Sequence, residues 1–146
     1  MSKKLYLAYG SNLNLEQMAH RCPTAKVVGK AEINNMQLLF RGPHESAVAT
    51  IEPRKGSCVP VLVWEITPED EAALDRYEGF PLLYRKKTVN VKLGGKPIKA
   101  MVYIMNEGRP LGKPGCYYYS IIYEGYMSAG FDTEILKKAV ADSMED

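Results

Sequence analysis

Leu5-Tyr6-Leu7-Ala8-Tyr9-Gly10-Ser11-Asn12 begins as an apolar run and stops on a glycine, with a helical pattern following from Asn14. The run reads as a first strand, Leu5–Tyr9. Leu15, Met18, Ala19 and Cys22 then recur at helical spacing, behind an Asn14 N-cap and ahead of Pro23. A strand delivered into a helix start leaves several backbone N–H groups aimed at one spot. Unpaired donors and a partial positive charge there favour a carboxylate, a phosphate or an oxyanion. Gly10 allows close approach to the backbone, and the Ser11 hydroxyl and Asn12 amide add hydrogen-bonding capacity. Gly, Ser and Asn also suit a plain capped turn, so the motif alone does not define a site.

Further along, Val27–Ala31, Met36–Phe40 and Ala47–Ile51 read as short strands. Asn34-Asn35 and Arg41-Gly42-Pro43 separate them, and Pro53-Arg54-Lys55-Gly56 closes the last. Cys58–Ile66 is the longest apolar run and reads as a buried strand, with Pro60 at a bulge or an edge. Thr67-Pro68-Glu69-Asp70 opens a helix: Thr67 caps it, Pro68 takes the first position and acidic residues fill the first turn. That helix carries Ala73, Leu74 and Tyr77 inward and ends at Gly79. Strands Tyr84–Leu93 and Ile98–Met105 follow, joined by the hairpin signal Gly94-Gly95. Two helices, about Tyr117–Ala129 and Thr133–Met144, are separated by Gly130. Strands in the middle with inserted and C-terminal helices predict an α+β fold, its sheet curled into a small mixed β-barrel, in one domain spanning 1–146.

Composition limits the function classes. With 46% hydrophobic and 25% charged residues the chain has the balance of an ordinary globular protein. Its net charge of +2 comes from scattered basic residues, which predicts no nucleic-acid partner. Cys22, Cys58 and Cys116 are too widely spaced for a disulfide framework or a CxxC site, and His20 and Cys22 would not share a helix face. No apolar stretch is long enough for a membrane span, and the N-terminal run is too short for a signal peptide, so cytoplasmic localisation is expected.

Glu78 ends the Thr67–Glu78 helix, at the negative end of its dipole. That field raises a carboxyl pKa, partial burial raises it further, and a carboxyl nearer neutrality suits a general acid/base. The plain alternative is an exposed glutamate paired with Arg85 or Lys86. Leu74-Asp75-Arg76-Tyr77-Glu78-Gly79 with Tyr84-Arg85, taken together with Tyr9-Gly10-Ser11-Asn12-Leu13, resembles the γ-glutamylcyclotransferase family, AIG2-like proteins included. Arg21-Cys22-Pro23, Ala49-Thr50-Ile51 with Pro53, Val59 to Ile66, and the tail around Pro114, Tyr118 and Gly125 extend the resemblance in order along the chain.

The resemblance implies a small mixed α+β barrel with a cavity at the Tyr9–Asn12 loop. It also implies cleavage of a γ-glutamyl amide by the substrate's own α-amine, releasing 5-oxoproline and a free amine. On this reading Glu78 is the catalytic residue, and Tyr9, Gly10, Ser11, Asn12, Leu13, Tyr84 and Tyr118 bind substrate. The substrate is a small γ-glutamyl compound: an amino acid or dipeptide conjugate, a γ-glutamylamine, or a γ-glutamyl cap. No metal or organic cofactor is required, and the chain acts as a monomer or homodimer. Two positions depart from the family pattern, Val61 where a glycine is frequent and Gly115 where a serine follows the tail proline. Both bear on the leaving-group side of the pocket. Phe80–Leu83 and the Gly/Pro-rich Asn106–Gly115 are candidate lids, the second also a candidate determinant of leaving-group choice. Glu124 reads as a surface residue, Tyr117-Tyr118-Tyr119 as core and pocket wall, and Ser11 lacks a histidine placed to activate it. The rival readings are a non-catalytic metabolite-binding module and another acyl transfer in the same pocket.

Overall fold

The computed structural model describes residues 3–144. Its elements in chain order are β1 (Lys4–Ala8), a 3-10 turn (Ser11–Leu13), α1 (Leu15–Arg21), β2 (Lys26–Arg41) and β3 (Val48–Ile66). These are followed by α2 (Pro68–Glu78), β4 (Tyr84–Leu93), β5 (Lys96–Met105), α3 (Cys116–Ala129) and α4 (Thr133–Ser143). The α+β class therefore holds. The five strands form one sheet in the order β2-β3-β1-β5-β4, antiparallel except for the parallel pair β1–β5.

The barrel expectation is corrected, because β2 and β4 are the two edges of an open sheet. Among the described residues no hydrogen-bonded ladder joins them. The edges meet through side chains instead: a Cβ built on Gly29 of β2 would lie 2.5 Å from Leu93 Cδ1 of β4. The sheet curls without closing.

The strand boundaries are corrected as well. The two strands read on either side of Asn34-Asn35 are one, and so are the two read on either side of Pro53–Gly56. Pairing runs from Asn34↔Cys58 directly to Met36↔Pro53, so Asn35 faces the extra residues of β3 across a large bulge. Asn35 (φ 61°) and Gly56 (φ 86°) take left-handed conformations there, and the Gly56 amide donates to Asn35 Oδ1 at 3.1 Å. Turn-forming residues bend a continuous ribbon here and do not end it. Pro60 stands beyond the last β1 pair, Ala8↔Leu62, where its missing N–H is tolerated.

Local signals account for the helices. Asn14 Oδ1 accepts from Gln17 N at the start of α1. Thr67 and Asp70 form a reciprocal capping box at α2, which Gly79 ends at φ 67°. Gly94 (φ 58°) and Gly95 (φ 82°) make the two-residue turn of the β4–β5 hairpin. The core gathers Leu7, Leu13, Met18, Phe40, Ile51 and Leu74 with the fully buried valines of β3. Tyr77 is not part of it: the side chain read as inward is 42% exposed. Helix α4 lies on β2, where Ser143 Oγ accepts from the Phe40 amide at 2.8 Å. Asn106–Gly115 is fastened to the β2–β3 hairpin by Gly42 N to Pro110 O, Gly112 N to Phe40 O and Ala47 N to Lys113 O. No helix among the described residues is long and apolar enough to cross a membrane.

Candidate active site

The 3-10 turn that follows β1 is one wall of a cavity of about 240 Å³. Leu13 N bonds Gly10 O (3.0 Å) and Asn14 N bonds Ser11 O (3.1 Å), which closes the turn. Among the described residues the amides of Gly10, Ser11 and Asn12 have no acceptor. These three residues line the cavity with Tyr6, Tyr9, Ala49, Tyr77, Glu78, Tyr84, Tyr103 and Tyr118, and with Val48 and Leu83. A Cβ on Gly10 would sit 3.3 Å from Ala49 Cβ and 3.7 Å from the Tyr118 hydroxyl, so a side chain there would invade this space.

Glu78 enters from the end of α2. It pairs with neither Arg85 nor Lys86. Arg85 donates to Met105 O, and Lys86 lies between Glu71 (2.6 Å) and Asp75 (2.9 Å). Among the described residues the Glu78 carboxyl has no hydrogen-bond or ion-pair partner. Burial pushes its pKa up to about 7, against a smaller downward pull from the nearby Arg21 guanidinium. The C-terminal end of α2 acts in the same direction as burial.

The tyrosines form a braced ring around this carboxyl. Tyr9 donates to Tyr103 O at 2.6 Å, and Tyr103 donates to Asp75 Oδ1 at 2.6 Å. Tyr84 donates to Ala49 O, while Tyr118 accepts from Ala49 N at 3.0 Å. Burial holds the phenols of Tyr6, Tyr9, Tyr84, Tyr103 and Tyr118 well above their ordinary range, so they stay protonated at neutral pH. At the loop, Asn12 Nδ2 donates to the Tyr6 hydroxyl (2.9 Å) and Asn12 Oδ1 accepts from Arg21. The Arg21 guanidinium lies 3.4 Å from the centre of the Tyr77 ring, and the Tyr77 hydroxyl shares a 2.7 Å hydrogen bond with Ser11 Oγ.

Seven of the eight site residues named from sequence thus meet at one cavity: Glu78, Tyr9, Gly10, Ser11, Asn12, Tyr84 and Tyr118. Leu13 does not. It is fully buried and packs on α3, where a Cβ on Gly125 would come within 2.6 Å of Leu13 Cβ. Val61 is fully buried in β3 away from the cavity, and Gly115 is the N-cap of α3. Glu124 is exposed and accepts from Asn14. Within the tail tyrosine run only Tyr118 reaches the cavity; Tyr117 is 76% exposed, a correction to its reading as core or wall. Tyr6, Tyr77 and Tyr103 were not foreseen. Tyr6 stands opposite Met101 in the parallel β1–β5 pair, Tyr103 follows Met101 by two on the same face of β5, and the two tyrosine rings meet edge-on at 5.8 Å, a signal that needs the strand register. Among the described residues no cluster of three His, Cys, Asp or Glu side chains is assembled for a metal ion.

A family model described as "Gamma-glutamyl cyclotransferase, AIG2-like" matches residues 6–121. A Bos taurus protein named gamma-glutamylcyclotransferase is 30% identical over 143 residues, covering 92% of this chain and 76% of that relative. A Homo sapiens protein of the same name is 30% identical over 155 residues, covering 97% and 80%. A solved structure named gamma-glutamyl cyclotransferase superposes with a TM-score of 0.81 at 29% identity, over 94% of this chain and 86% of that one.

Proposed function

Because the chain belongs to the gamma-glutamyl cyclotransferase, AIG2-like family, we propose that it cleaves a γ-glutamyl amide by intramolecular attack. The products are 5-oxoproline and a free amine or amino acid, and Glu78 is the proton shuttle. The observation that carries this reading is a carboxyl whose pKa burial pushes up to about 7, sharing a small cavity with three backbone amides, none of the four with a partner among the described residues. At about 240 Å³ the cavity lies below the roughly 300–1,000 Å³ of drug-sized ligand sites, in keeping with a small metabolite head group.

The substrate's α-ammonium has no lone pair to attack with. Glu78, as carboxylate, removes one proton, and the freed amine adds to the γ-carbonyl carbon while the carbonyl π pair moves onto oxygen. Collapse of this tetrahedral species breaks the bond to the leaving nitrogen. Two protons leave the α-nitrogen in all and two arrive on the leaving nitrogen: the first lets it depart as a neutral amine and the second makes that amine an ammonium; Glu78 carries them one at a time. The amides of Gly10, Ser11 and Asn12 supply donors for an anionic oxygen of the substrate. The hydroxyl protons of Tyr9 and Tyr84 are committed to backbone carbonyls and the Tyr118 hydroxyl accepts from the Ala49 amide, so these residues shape the cavity with ring faces that hold the chain of the substrate folded. Closing a five-membered ring depends strongly on that orientation.

Product isotope content tests the proposal. In 18O-water, mass spectrometry of a reaction with a panel of γ-glutamyl amino acids, dipeptides and amines is expected to find unlabelled 5-oxoproline. Labelled glutamate as the product would mean attack by water and would overturn intramolecular cyclisation.

A further inference from the structure

A second and larger cavity, about 460 Å³, lies in the cleft between the far half of the β2–β3 hairpin and the paired strands β4 and β5. It adjoins the first cavity across shared strands: Tyr84 lines the first and Arg85 the second, and Tyr103 lines the first and Ile104 the second. Its apolar floor includes Ile51 and Ile104, both buried. Asn106–Arg109 forms one end, anchored by the Asn106 side-chain amide donating to Pro81 O (2.8 Å) and Leu82 O (3.0 Å).

Its charge is unbalanced. Arg41 is fully engaged, forked onto Glu52 and donating to Arg109 O at 2.8 Å, and this pair is locally neutral. That leaves Arg85, Lys87 and Arg109 against the single carboxylate of Glu107. Among the described residues none of these three cations is within ion-pair distance of an acidic group. Arg85 and Lys87 are two apart on one strand and so share a face, roughly 7 Å apart. That is inside a Debye length of roughly 8 Å at physiological salt, so they repel. Lys86, between them on the opposite face, is held by two carboxylates. The chain neutralises the cation on one face of β4 and leaves the two on the other face exposed to a cavity.

We propose that this second cavity binds a small organic anion, a phosphate- or polycarboxylate-bearing metabolite. Arg85, Lys87 and Arg109 hold its charge, and its apolar part lies on Ile51 and Ile104. Guanidinium groups match the flat, multi-oxygen faces of phosphate and carboxylate, and an apolar floor beside them suits an organic body better than a bare ion. The site is separate from the Glu78 cavity and independent of the reaction proposed there.

Calorimetric titration of the full chain at low ionic strength, with pyrophosphate, citrate and ADP as separate probes, tests the proposal. Saturable binding of one or more probes is expected, weakened about tenfold or more by Lys87→Glu combined with Arg109→Gln, the scale of losing charge-assisted hydrogen bonds. Lys87 is exposed and, among the described residues, Arg109 has no ion-pair partner, so this variant is expected to fold. Amide NMR shifts on binding should fall at Ile104 and Glu107–Arg109. Preference for citrate assigns the carboxylate source and preference for pyrophosphate or ADP the phosphate source. The proposal is overturned if all three probes give only dilution heat, if the variant binds as tightly as the parent chain, or if the shifts fall at Gly10–Asn12.

Discussion

Glu78→Gln lowers turnover of the best γ-glutamyl substrate by roughly two to four powers of ten, the span lost with a general acid/base. The amide keeps the size of the carboxyl but cannot accept the α-ammonium proton. The same substitution makes the chain more stable at alkaline pH. Folding lifts this carboxyl from 4.5 to about 7. Between those values the folded chain holds a proton that the unfolded chain has released, so stability falls as pH rises through this window. At roughly 1.4 kcal/mol for each tenfold change in proton affinity, the penalty above pH 7 is about 3 kcal/mol at most. It vanishes below the unfolded value. Urea unfolding should therefore show the variant more stable than the parent at pH 8 and equal to it near pH 4. Loss of activity with a gain in stability is the signature of a group kept for function. A folded variant with the parent's rate would remove Glu78 from the mechanism.

Gly125→Ala destabilises the chain by about 1–3 kcal/mol, the usual cost of overpacking, although alanine is the better helix former by roughly 1 kcal/mol. The reason is the seat of α3 on the cavity loop. An added Cβ would lie 2.6 Å from Leu13 Cβ, 2.9 Å from Leu13 C and 3.1 Å from Asn14 N. Two of these three neighbours are backbone atoms, which cannot swing aside. The clash pushes the Ser11–Leu13 turn, and with it the free amides opposite Glu78, so turnover of the γ-glutamyl substrate should fall together with the unfolding midpoint. An alanine variant as stable as the parent, or more so, would show that α3 does not set the position of this loop.

What the sequence disclosed was local. The α2 helix was legible from Thr67, Pro68 and Gly79 because caps act within one turn, and Glu78 stood out by its place at the end of that helix. The Gly10–Asn12 turn was legible for the same reason, as an abrupt change from strand to helix. Asn35 and Gly56 misled, since residues able to take positive φ serve a bulge as well as a chain reversal, and only cross-strand pairing tells the two apart. Whether the curled sheet closes depends on how its edges meet, at Gly29 and Leu93, which are remote in the chain. Tyr6, Tyr77 and Tyr103 join the site through register and helix phase, and Leu13 leaves it because the turn winds that side chain into α3. The second cavity draws on four strands and a loop, so no single segment announces it.

One carboxyl in this cavity, that of Glu78, is held near neutrality, where it can move protons. The most direct test is a 13C NMR titration of the Glu78 side-chain carboxyl in the folded chain, assigned by its disappearance in Glu78→Gln. The expected midpoint is near pH 7. A midpoint at the ordinary glutamate value of about 4.3 would contradict it.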